Sequence, residues 1–121
     1  MALWNQIGAE VITLKISGIT PDDIDGMLIA SGGFTGEMPV GTPVTTAGAA
    51  FDGIGLHAGD TPGTYAVALG GMVVAPQDGS ITTEGYQLVG ATTNCILKSV
   101  ESGGRPVSIL YAGDDFVVVK F

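Results

Sequence analysis

Pro106-Val107-Ser108-Ile109-Leu110-Tyr111, then Ala112-Gly113-Asp114-Asp115, then Phe116-Val117-Val118-Val119-Lys120-Phe121, closes the chain with two apolar runs around four turn formers. Val, Ile, Tyr and Phe suit a pleated surface, and Gly with two Asp supplies the conformations that a tight reversal needs. The segment therefore predicts a β-hairpin with a four-residue loop, the surest element pair in the chain.

Working outward, residues 9–17 alternate, with Ile12, Leu14 and Ile16 on one face and Val11, Thr13 and Lys15 on the other, the period of a half-buried strand. Thr20-Pro21-Asp22-Asp23 places a hydroxyl, a proline and two carboxylates where a helical turn starts, and Gly26 stops it within about one turn. A short apolar run at 27–30 precedes Ser31-Gly32-Gly33. Pro39 and Pro43 make residues 38–46 read as an extended edge segment rather than a central strand. Residues 53–58 and 64–75 read as two strands joined by Gly59-Asp60-Thr61-Pro62-Gly63, the second interrupted at Gly70-Gly71 by a bulge or tight bend. Residues 86–100 suit one or two strands with a break near Gly90. The expected fold is all-β: a small single-domain β-barrel or β-sandwich of seven to nine short strands with at most one helical turn, spanning residues 9–121 behind an N-terminal arm, residues 1–8.

Composition bounds the function. The 121 residues are 45% hydrophobic and only 13% charged, about half the usual quarter, and 20 are glycine. Such a globule is poorly equipped to cover itself with charge, which favours an assembly. The net charge is −8, with only Lys15, Lys98, Arg105 and Lys120 as cations. That deficit argues against nucleic acid, whose binding needs cations that replace phosphate counterions, and against an anionic membrane surface. Residues 1–6 lack the basic and apolar regions of a secretory signal, and the longest apolar stretch, residues 65–76, is too short to span a bilayer, so a soluble protein made in a cytoplasm is expected. The single cysteine, Cys95, lies in an apolar run and reads as a small buried hydrophobe.

Candidate chemistry is sparse. His57 precedes Asp60 by three residues and, with Asp52, is the best triplet an enzyme or ligand binder would have. No nucleophile elbow accompanies it, so His57 reads as a strand-end histidine with a structural hydrogen bond. Asp22, Asp23 and Asp25 miss the calcium-loop spacing, since Pro21 and Gly32 fall at its first and twelfth positions. One Cys and one His cannot make a tetrahedral zinc site. Gly53-x-Gly55 misses the dinucleotide fingerprint. No catalytic residue, cofactor or metal is expected. Of the aromatics, Phe34, Phe51, Tyr65, Tyr86, Tyr111, Phe116 and Phe121 read mostly as core. Trp4 lies on the arm, where Leu3, Trp4 and Ile7 are the candidate partner-binding residues.

Three further pieces carry a pattern: Val40-Gly41-Thr42-Pro43-Val44, then Asp52-Gly53-Ile54-Gly55-Leu56-His57-Ala58-Gly59-Asp60, then Val67-Ala68-Leu69-Gly70-Gly71-Met72-Val73. In order and spacing they resemble the capsid decoration (head-stabilising, auxiliary head) proteins of tailed bacteriophages. Residues 4–25 and the terminal hairpin match nothing in that pattern. The resemblance implies a non-enzymatic structural virion protein, often a homotrimer, that binds the outside of an expanded capsid and bridges neighbouring major capsid subunits. It implies a place on the capsid exterior, no cofactor and no basic patch. Two other classes fit the residues: a tail or head-to-tail component of the same virion, and a small β-barrel ligand-binding protein.

Overall fold

The computed structural model describes residues 10–35 and 38–121. Among them it forms ten strands and one 3-10 turn, so the all-β expectation stands while the strand count exceeds the seven to nine expected. The surplus arises because two apolar stretches read as nearly single runs each divide in two. Residues 1–8, with Leu3, Trp4 and Ile7, lie outside the described residues.

Five strands close into a barrel in the order β1-β3-β2-β4-β5: β1 (Glu10–Ile16), β2 (Leu28–Thr35), β3 (Met38–Pro43), β4 (Gly53–Ala58) and β5 (Thr64–Gly70). The alternation in β1 behaves as read, burying Leu14 and Ile16 and half-burying Ile12 while Val11, Thr13 and Lys15 face outward. The turn at Pro21–Asp23 also forms. There the Asp23 carboxylate accepts from the Thr20 hydroxyl (2.9 Å), so the acid caps as much as the hydroxyl does.

The edge reading of the proline-bearing segment is overturned. β3 is flanked on both sides, antiparallel to β2 and parallel to β1. The parallel bridge uses only Val40 and Gly41, between the two prolines, so neither Pro39 nor Pro43 has to supply a donor to β1.

The second sheet has the order β6-β10-β9-β7-β8, from β6 (Met72–Pro76), β7 (Gly85–Ala91), β8 (Leu97–Ser99), β9 (Arg105–Ala112) and β10 (Phe116–Lys120). Its centre is the predicted terminal hairpin, but Ala112 belongs to β9 and pairs with Val117, so the loop is residues 113–115 rather than the four expected. The chain changes sheets at Gly71, whose φ of 90° only glycine adopts readily and whose N–H and C=O pair with the backbone of Phe121 at 3.0 and 3.1 Å. Gly70-Gly71 is thus the bend between two layers rather than a bulge within one strand. A second correction concerns β7, which runs through Gly90. The chain breaks instead at a turn from Thr92 to Ile96, where the Thr92 hydroxyl accepts from the N–H groups of Asn94 and Ile96.

Two cores result. Ile29, Tyr65 and Val67 join Leu14, Ile16 and Ile24 inside the barrel, while Leu28, Ile54, Leu56, Ala66 and Ala68 face the second sheet and meet Val89, Leu97, Val107, Ile109, Val117 and Val119. β4 and β5 are therefore buried on both faces. This is why their sequences run apolar without alternating. Close approach of the segment after the 3-10 turn to β4 fixes glycine at position 55, where a Cβ would collide with the Ile24 carbonyl oxygen.

Candidate functional site

His57, Asp60 and Asp52 have definite places, whereas Leu3, Trp4 and Ile7 lie outside the described residues. His57, on β4, is half-buried, and its Nδ1 lies 2.8 Å from the Ala58 carbonyl oxygen, a local structural contact. It shares a hollow of about 320 Å³ with Asp60 and Thr64, yet no hydrogen bond joins His57 to Asp60 among the described residues. Asp52 is held elsewhere, at the mouth of the barrel, so the triplet does not assemble. Among the described residues no group of three or more His, Cys, Asp or Glu could hold a metal ion.

Asp52 belongs to a different structure. One carboxylate oxygen accepts from the Ser31 N–H (2.7 Å) and hydroxyl (3.2 Å), fastening the loop before β4 to β2. Arg105, at the start of β9, reaches across from the second sheet and donates through Nη1 to the carbonyl oxygens of Phe51 (3.2 Å) and Asp52 (2.7 Å). Its guanidinium also lies over the Phe121 ring (4.7 Å) and the Phe51 ring (5.6 Å). Burial lowers the Arg105 pKa and the nearby Asp52 charge opposes that shift. The cluster borders a mostly apolar hollow of about 720 Å³ whose walls include Ile12, Leu14, Val40 and Leu69. Its hydroxyl–carboxylate pair, Ser31 with Asp52, shares the carboxylate oxygen with the Ser31 N–H and so acts as a backbone tie. Its charged groups are largely committed to holding the layers together.

The largest departure from expectation is the outer face of the second sheet. Tyr86 is 77% exposed, Tyr111 54%, Leu110 48% and Phe116 38%, so three aromatics assigned to the core from sequence stand on the surface. The strand register explains why they gather. Val118 lies between Val74 on β6 and Tyr111 on β9, Phe116 is paired with Pro76, and Lys120 stands between Met72 and Ser108, with Tyr86 beside Ser108. A bulge between Val118 and Val119 leaves Leu110 as an extra exposed residue. Tyr111 and Phe116 stack at 5.6 Å between ring centroids. Within these rows Lys120 is the cation, the exposed Glu84 carboxylate accepts from the Ala112 N–H (3.3 Å) beside Tyr111, and the acids Asp114 and Asp115 sit beyond Phe116 at the hairpin tip.

A sign of this face was present in the sequence. In Phe116-Val117-Val118-Val119 the positions alternating with the buried Val117 and Val119 are as apolar as the core positions, so neither face of β10 is built for water. The bonds from Arg105 to Phe51 and Asp52 had no such signal, since they join residues more than 50 positions apart.

No protein-family model matches the chain, and no curated protein matches it.

Proposed function

We propose that the chain is a non-enzymatic structural protein that works by burying apolar surface against protein, and that it decorates the outside of an expanded phage capsid, bridging neighbouring major capsid subunits. The observation that carries the first part is the apolar outer face of the second sheet, with Tyr86, Leu110, Tyr111 and Phe116 exposed together. Soluble monomers rarely leave such a patch to water, and exposed aromatics on a firm scaffold suit an interface. The second part rests on the sequence resemblance between residues 40 and 73, which also implies a homotrimer.

The mechanism is selective burial. A subunit that meets its apolar surface partner only in the expanded lattice stabilises that lattice by mass action, with no bond made or broken. Co-sedimentation with unexpanded and expanded shells of the virus that encodes the chain tests this. The expected result is binding to expanded shells alone, with increased resistance of those shells to dissociation. Recovery of the chain with tails or head-to-tail connectors would favour that alternative, and binding to no particle would remove the virion reading.

The hollow beside Arg105 supports a second reading, a ligand-binding barrel, because it is mostly apolar with a few polar groups, Ser31, Asp52 and Arg105, at its rim. A thermal-shift screen of small amphiphilic anions tests it. Stabilisation that disappears in Arg105→Met would favour this reading.

A further inference from the structure

We propose that the outer face of the second sheet is a self-complementary contact between two copies of this chain, packed sheet on sheet with their β10 strands antiparallel. The inference rests on the reading above, that this face is where the chain meets protein, and it names the occupant.

The argument is the placement of charge along β10. From Phe116 to Lys120 the strand advances about 13 Å. One end carries the Lys120 ammonium, while the other continues into Asp115 and Asp114. The apolar residues Val118 and Tyr111, partners across β10 and β9, lie midway. Two facing sheets related by a two-fold axis have two simple alignments. With the axis along the strands, Lys120 meets Lys120 and the acidic tips meet each other, which is repulsive at both ends. With the axis across the strands at Val118 and Tyr111, Lys120 of each copy comes opposite Phe116 of the other and within reach of its Asp115. The second alignment pairs opposite charges at both ends and packs Val118 and Tyr111 against their own counterparts at the centre. Sheet-on-sheet packing admits it, since facing strands lie within about 30° of each other. Electrostatic matching of this kind chooses the register while apolar burial supplies the affinity.

An isologous contact closes at two copies. The assembly is then a dimer, or built of dimers, rather than the trimer that the resemblance implies.

The test is charge exchange on the full-length protein. Sedimentation equilibrium and native mass spectrometry are run near 0.15 M salt, where the Debye length is about 8 Å and the general repulsion of two acidic chains is largely screened. The wild type should show masses in multiples of twice 12.2 kDa. Lys120→Glu and Asp115→Lys should each weaken association about tenfold, and the double exchange should restore it to within about threefold of wild type. In a mixture of isotopically light and heavy protein, a carbodiimide should join Lys120 of one copy to Asp114 or Asp115 of the other. Val118→Asp should abolish association, and an unchanged urea midpoint in Lys120→Glu controls for folding.

Multiples of three that ignore the charge exchange, or a double variant no better than the singles, would overturn the inference. If Lys120→Glu and Val118→Asp spare self-association but lose binding to expanded shells, the face belongs to the capsid, and only this inference falls. If neither property moves, this face is not where the chain meets protein, and the part of the proposed function that rests on it falls with the inference.

Discussion

The guanidinium of Arg105 lies 4.7 Å above the centre of the Phe121 ring and donates to the Asp52 carbonyl oxygen at 2.7 Å. One side chain thereby ties Phe121 to the loop between β3 and β4. Arg105→Ala should cost about 2 kcal/mol, combining lost hydrogen bonds with the lost cation–π contact. Arg105→Lys should recover less than half, because an ammonium on a flexible stem cannot both stack and serve two carbonyls. Urea denaturation of the three proteins checks the order.

Gln77 is only 4% exposed and is fully engaged. Its amide nitrogen donates to the carbonyl oxygens of Ile81 (2.9 Å) and Gly113 (2.6 Å), and its oxygen accepts from the Ile81 N–H (2.8 Å). Gln77→Leu keeps the volume but strands three backbone groups, an expected loss of about 3 kcal/mol. A calorimetric melt that shifted by no more than a degree or two would contradict this.

Gly55 and Gly32 should respond very differently to the same methyl group. Gly55→Ala drives a Cβ into the Ile24 carbonyl and should destabilise by about 2–3 kcal/mol, whereas Gly32 has open space around it. Gly32→Ala should stay within about 0.5 kcal/mol of wild type. The comparison is a paired chemical denaturation, with equal losses as the failing outcome.

Cys95 is 7% exposed, and burial raises its thiol pKa. Because the folded value lies above the unfolded one, the neutral thiol's contribution is fully present below the unfolded pKa, about 8.5, and is lost as pH rises through the folded value. The stability difference between wild type and Cys95→Ala should therefore be flat from neutral pH to about 8 and shrink above it. A thiol reagent at neutral pH should label the protein only as it unfolds. Rapid labelling of the native protein would show that the site opens locally.

The presence of the terminal hairpin and the faces of β1 were readable because each depends on neighbours within a few positions, whereas the bulge between Val118 and Val119 that sets the hairpin's register was not. Alternation at Ile12, Leu14 and Ile16 needs only the pleat, and the loop at Gly113 needs only local backbone freedom. The edge assignment of β3 failed for the converse reason. A proline excludes a strand interior only where its missing N–H is required, and the short bridge at Val40 and Gly41 depends on where β1 lies. The exposed aromatics were misplaced likewise, since Tyr86 and Tyr111 are as apolar as Tyr65 and only the packing of the layers distinguishes them.

By itself the sequence determined an all-β chain, the single turn at Pro21, the β1 pattern and the closing hairpin, because local propensity and period-two patterning are properties of consecutive residues. Tertiary structure alone decided that β4 and β5 serve two cores, that Gly71 carries the chain from barrel to sheet, that Asp52 meets Ser31 and Arg105 instead of His57, and that the outer face of β10 is left without a cover among the described residues. Each depends on which distant segments share a layer, and that choice is made by the burial of the whole chain at once.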